Sequence, residues 1–281
     1  MFTLDKATLE TIQKTFHVPT KPELLQELEA LNSQVSPDIV KAANLIQTDV
    51  GLAGIILQTI NSPIFGLNRQ VADIKQAVIA LGFKTVYSIT VTSLIQQSFS
   101  KPASISLERF WDESLLIAQF CKHIAASLNS SLETDTMYCL GLIHNLGIAA
   151  MAIEYSDYKE TLALANDPSS HQFTAVERIK HGNDHAEVGY VICEQWQLPS
   201  NICQIVAQHH NKDFLFDPAP FEQKEMYAIL RLATNLYTHI KHQHYEGDWP
   251  NIRDELLEVL ELGPKQVDTL EIELAEIAQK I

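Results

Sequence analysis

Histidines are the residues with most chemistry to offer. The chain has 281 residues and 11 histidines. Four are placed where they matter: His144, His185, His209 and His210. They fall in three separate blocks of helical periodicity, so only folding can bring them together. Imidazole is the commonest metal ligand among side chains, and helix bundles build metal sites from residues on facing helices. Spacing does not show convergence. Two readings therefore stand: a shared divalent-metal site, or separate core histidines satisfied by hydrogen bonds. His239, His242 and His244 precede Gly247-Asp248 and read as a solvent-facing surface. His181 and His185 are four apart, but Gly182 intervenes and Asp184 is a good N-cap, so a helix is expected to start after His181.

Other chemistries lack their motifs. Gly51-Leu52-Ala53-Gly54 has no Walker lysine, and no serine nucleophile elbow occurs. No residue is assigned a catalytic role. Cys121, Cys139, Cys193 and Cys203 form no CxxC pair and lie in apolar surroundings, which reads as buried free thiols in a reducing, cytoplasmic compartment. With 20 basic and 35 acidic residues the net charge is −15. Such a surface repels phosphate backbones and anionic lipid, so neither direct nucleic-acid binding nor membrane attachment is expected. The apolar run from Met137 to Ile153 is short for a span and carries His144 and Asn145 at its middle, so it reads as a buried helix.

The elements that position these residues are helical almost throughout. Thr20 and Glu23 suggest a capping box, with Pro22 in the first turn. Asp38, Asp49 and Asp73 each precede an apolar helical stripe. Asn61-Ser62-Pro63 ends one helix, and Gly66 marks the loop after it. Thr85 to Thr92 is rich in β-branched residues, yet its apolar set continues at helical spacing, which predicts helix. Ser100 to Ser106 is the best linker. Beyond it, helical blocks are expected at about 107–129, 133–152, 184–197, 199–210, 222–242, 251–261 and 264–280. The fold class is all-α, with subdomains expected at residues 1–105 and 106–281.

Several segments carry a family resemblance. Gly141–Gly147 (GLIHNLG) resembles the HD-superfamily motif, in which His-Asp sits on a helix before Ile-Gly. Asp184–Gly189 (DHAEVG), Trp196–Pro199 (WQLP) and Gln208–His210 (QHH) match later parts of that scaffold. Gln58–Gly66 (QTINSPIFG), Ile74–Val86 (IKQAVIALGFKTV) and Phe110-Trp111 resemble the HDOD branch more sharply. The resemblance covers roughly residues 18 to 260. It implies an HD-like helix bundle with an N-terminal helical subdomain, acting as an output or scaffold module in bacterial signal transduction with protein partners.

Active HD enzymes, the resemblance implies, bind one or two divalent metals through a first histidine, the His-Asp pair and a late aspartate. The metals supply the activated water that attacks a phosphoester. Here Glu113 stands at the first histidine, Asn145 replaces the motif aspartate, and Thr234 with Asn235 occupies the late position. Two lost carboxylates remove two charges that would offset a dication. The expected metal set is Glu113, His144, His185, His209 and His210. No cofactor is certain; residual Zn, Ni, Mn or Fe without hydrolysis is left open, and a metal-dependent phosphohydrolase is the alternative. Asn61 and Phe65 are the expected partner contacts. For Phe65, an interface anchor and a core aromatic both remain open.

Overall fold

The structure, a computed structural model, describes residues 2–16, 21–34, 36–61, 65, 67, 69–128, 130–166 and 173–279. Thr20, Ser62, Pro63 and Gly66, invoked above as cap, helix end and loop, lie outside these. Sixteen α-helices and no strand occur among the described residues. The chain divides into two compact units: Met1–Val18 with Lys101–Glu276, and Pro19–Ser100 with Ile277–Ile281.

The smaller unit holds α2 (Glu23–Asn32), α3 (Ile39–Gln47), α4 (Val50–Ile60), α5 (Ile74–Leu81) and α6 (Phe83–Ser98). Asp38, Asp49 and Asp73 cap α3, α4 and α5 by accepting backbone N–H bonds. Gly82, at φ +84°, makes the turn into α6. Helix α6 packs against α2, α4 and α5, and it contains the β-branched segment. Its buried hydroxyls explain how it tolerates helix. Thr90, Thr92 and Ser93 donate to carbonyls one turn back, at 2.7–2.9 Å, so no polar group is orphaned.

The larger unit contains α1 (Lys6–Thr15), α7 (Leu107–Ser127), α8 (Thr134–Ile143), α9 (Leu146–Glu154), α10 (Tyr158–Ala165), α11 (Phe173–His181), α12 (His185–Gln195), α13 (Ser200–Gln208), α14 (Phe221–His242), α15 (Trp249–Val259) and all but the last two residues of α16 (Pro264–Ala278). Helix α7 packs on α8 and α14, and α12 packs on α9, α13 and α1. The expected single block at 133–152 is two helices, broken at His144-Asn145. There Asn145 leaves helical geometry, with φ −100° and ψ 17°. Of the apolar window within Thr134–Glu154, 78% is buried by the protein itself. Cys121, Cys193 and Cys203 are buried free thiols, and Cys139 is half-buried.

Candidate functional site

Two glycines bring the histidines together. Gly147 follows the α8–α9 break, and Gly189 lies one turn into α12. A Cβ on Gly147 would stand 1.9 Å from the His185 carbonyl oxygen and 2.9 Å from the Gly189 nitrogen. Only glycine permits that approach of α9 to α12. The Asp184 cap, in a reciprocal box with Glu187, starts α12 at His185. Helix α13 ends at His209, and His210 follows in the turn. Three helix termini thus deliver His144, His185 and the His209-His210 pair to one place.

The ring contacts are close. Centroids lie 5.5 Å apart for His144–His209, 5.2 Å for His185–His209, 4.8 Å for His185–His210 and 4.2 Å for His209–His210. Tautomers follow from the outer nitrogens. Nδ1 of His144 faces the Gly141 carbonyl, Nδ1 of His209 the Val206 carbonyl, and Nδ1 of His185 the Glu177 carboxylate, each at 2.7 Å. Those oxygens only accept, so each Nδ1 carries the proton, and in a neutral ring the lone pair is then on Nε2. His185 Nε2 lies 3.2 Å from His209 Nε2 and 3.0 Å from His210 Nε2, and His209 Nε2 lies 3.1 Å from Asn145 Oδ1. A proton on His210 can satisfy one of these contacts. The rest set acceptor against acceptor while His185 is neutral; a second proton on His185 or a shared cation resolves the contact between His185 and His209.

The electrostatics favour neutral rings at His144, His209 and His210. Burial holds His144 near a pKa of about 4, against a bond to Gly141 that favours the proton. Burial and the neighbouring imidazoles push His209 and His210 well down too. His185 differs. Burial opposes its charge, but the Glu177 carboxylate at its ring outweighs that and raises its proton affinity. Burial would likewise raise Glu177, yet His185 and the bonds from His185 and Tyr158 hold it below the ordinary carboxylate range.

A metal fits the donor set. Two nitrogens on one ion, with bonds of ~2.0–2.1 Å, sit roughly 2.9–3.4 Å apart. The 3.0 and 3.2 Å separations match. His185, His209 and His210 offer nitrogens all within 4.8 Å of one another, and the Asn145 carbonyl oxygen stands beside them. The set contains no carboxylate, and imidazole suits zinc, nickel, copper and iron.

The remaining expected site residues fall differently. A cleft of about 970 Å³ is lined by Glu113, His144, Asn145, His209, His210 and Thr234, among others. His185 is fully buried beneath it. Glu113 is exposed and accepts a hydrogen bond from Tyr237; it stands outside the histidine group. His144 faces the cleft but lies outside the 4.8 Å trio. Thr234 Oγ donates back to the Arg231 carbonyl. Asn235, expected to line the cleft, instead turns away. Its amide donates to the Arg231 carbonyl at 2.9 Å and accepts from the Glu246 backbone at 3.1 Å. It ties α14 to the loop that buried Arg231 also grips through Glu246 and Asp248. In the smaller unit, both ends of the Asn61 amide bind the Val71 backbone, at 2.7 and 2.8 Å, while Phe65 is half-buried.

Sequence reasoning missed Glu177 and the helix α11 that carries it. Glu177 is fully buried and receives bonds from the His185 ring, the His185 backbone and the Tyr158 hydroxyl.

An all-α fold with clustered histidines at the ends of α8, α12 and α13 defines an HD-like helical protein. The HDOD domain family model matches residues 18–212, and the chain belongs to the HDOD family. Solved structures share the fold. An HDOD domain protein of unknown function from Geobacter sulfurreducens superposes with a TM-score of 0.71 at 22% identity, covering 96% of each chain. A "putative phosphohydrolase" from Shewanella amazonensis gives 0.74 at 18% identity, covering 98% of this chain and 95% of that one. A "putative signal transduction protein" from Marinobacter aquaeolei gives 0.76 at 16%, covering 98% of this chain and 63% of that one. A curated relative, an uncharacterized protein of Treponema pallidum, is 23% identical over 220 residues, which is 77% of this chain and 41% of the relative. The chain therefore spans about two fifths of that relative's length.

Proposed function

We propose that the chain is a bacterial HDOD signalling module that binds a divalent cation at His185, His209 and His210 and does not hydrolyse phosphoesters. The convergence of three Nε2 atoms with no carboxylate among them carries this reading. Three neutral imidazoles hold a late first-row ion, zinc or nickel before manganese or iron. A bound dication lowers the pKa of coordinated water. Turnover also needs groups that orient that water and offset charge, and the residues at the two lost carboxylate positions do not supply them. Asn145 brings a neutral oxygen, Thr234 is bonded within its own helix, and Asn235 holds a loop. In this reading the output passes to protein partners in the cytoplasm, without direct contact to nucleic acid or membrane. Of the two expected contacts, the Asn61 amide is committed to Val71, which leaves Phe65 for a partner.

A metal-dependent phosphohydrolase is the second reading, supported by the Glu113 carboxylate on the same cleft. The test is turnover of an aryl phosphodiester and of cyclic dinucleotides in Mn²⁺, Ni²⁺ and Mg²⁺. Rates at background are expected. Robust turnover that disappears in His144→Ala would establish the second reading instead.

A further inference from the structure

We propose that Glu177, which does not line the cleft, is the positioning residue of the cation site. It holds His185 in the tautomer and ring orientation that turn Nε2 toward His209 and His210. This rests on the reading that the trio binds a cation.

A carboxylate buried in a helical core is costly unless every lone pair is used. Glu177 is fully buried, and three donors converge on it. Oε1 accepts from the Tyr158 hydroxyl. Oε2 accepts from the His185 backbone at 3.1 Å and from the ring Nδ1 at 2.7 Å. Gripping the backbone and ring of one residue with one oxygen fixes both side-chain torsions. The ring is wedged further by the edge contacts of Phe173 at 5.3 Å and His210 at 4.8 Å.

The alternative tautomer shows what this grip decides. If the His185 proton moved to Nε2, it would point at His209 and His210, 3.2 and 3.0 Å away. The trio would then satisfy itself with hydrogen bonds, and the lone pair an ion needs would be gone. Without Glu177 nothing in the described structure keeps the proton on Nδ1. Glu177 therefore selects between a ligand set and a closed hydrogen-bonded cluster, a role that carboxylates bonded to metal-binding histidines perform generally.

The experiment titrates Zn²⁺ into the full chain by calorimetry and reads the His185 tautomer by ¹⁵N NMR. Unsubstituted protein, Glu177→Gln and Tyr158→Phe are compared. Glutamine keeps the shape but can donate as well as accept, so it no longer dictates the tautomer. The unsubstituted chain is expected to bind zinc with His185 protonated on Nδ1. Glu177→Gln is expected to bind about 10- to 100-fold more weakly, with His185 in mixed tautomers. Tyr158→Phe, which leaves the ring packing intact, is expected to lose affinity in the same direction by less, and it serves if Glu177→Gln does not fold. Zinc affinity and tautomer unchanged in both variants would overturn the positioning role and leave the cation reading standing. No zinc binding by the unsubstituted chain would overturn both.

Discussion

At the scale of single residues, the site is defined by where its protons sit. His144, His209 and His210 are held neutral by burial, His144 down to about 4. In the unfolded chain each titrates near 6.5. As pH falls below 6.5 the unfolded state takes up protons that these folded rings refuse, so stability must fall. His185, with its raised proton affinity, works the other way but stands alone against three. Urea unfolding from about pH 7 to about pH 5 is expected to show a falling midpoint. Over that interval His144 alone contributes roughly 2 kcal/mol, at 1.36 kcal/mol per unit. A midpoint that holds or rises would contradict the assignment of neutral rings. The histidines were legible from residue type and motif order. Glu177 was not, for a physical reason. In FTAVERIKH the apolar pattern points the wrong way: Ile179 is 87% exposed while Glu177 is fully buried. A glutamate in so short and polar a helix reads as solvated, and only the fold shows that it faces Tyr158 and His185.

Elements convert that chemistry into a place. Caps and stripes specified most helices directly: Asp38, Asp49, Asp73 and Asp184 all accept the backbone bonds their positions suggest. The break between α8 and α9 was hidden, because the run from Met137 to Ile153 is apolar on both sides of it and contains no proline. Its cause is tertiary. Helix α9 must approach the His185 carbonyl so closely that Gly147 cannot bear a Cβ. Gly147→Ala is therefore expected to cost about 3 kcal/mol or more, the upper range for overpacking, since backbone rather than a flexible side chain is in the way. It should also displace His185, whose carbonyl the new methyl meets, from His209 and His210. Thermal unfolding checks the first effect and zinc titration the second. A variant with unchanged melting temperature would mean that α9 and α12 do not meet at this glycine.

For the whole molecule, the all-α class and the family followed from periodicity and from motifs in order. The placement of α1 with the larger unit did not, since Lys6–Thr15 shows an ordinary amphipathic stripe that names no partner. The larger unit carries every histidine of the candidate site and both hidden features, the α8–α9 break and Glu177. It thus brings three imidazoles together with no carboxylate among their facing nitrogens. The account stands or falls on whether those imidazoles hold an ion. Anomalous diffraction at the zinc edge, from crystals of the full chain grown with zinc, measures this most directly. The expected result is one strong peak bonded to Nε2 of His185, His209 and His210. A map with no peak among those three nitrogens, or with zinc bound only elsewhere, would contradict it.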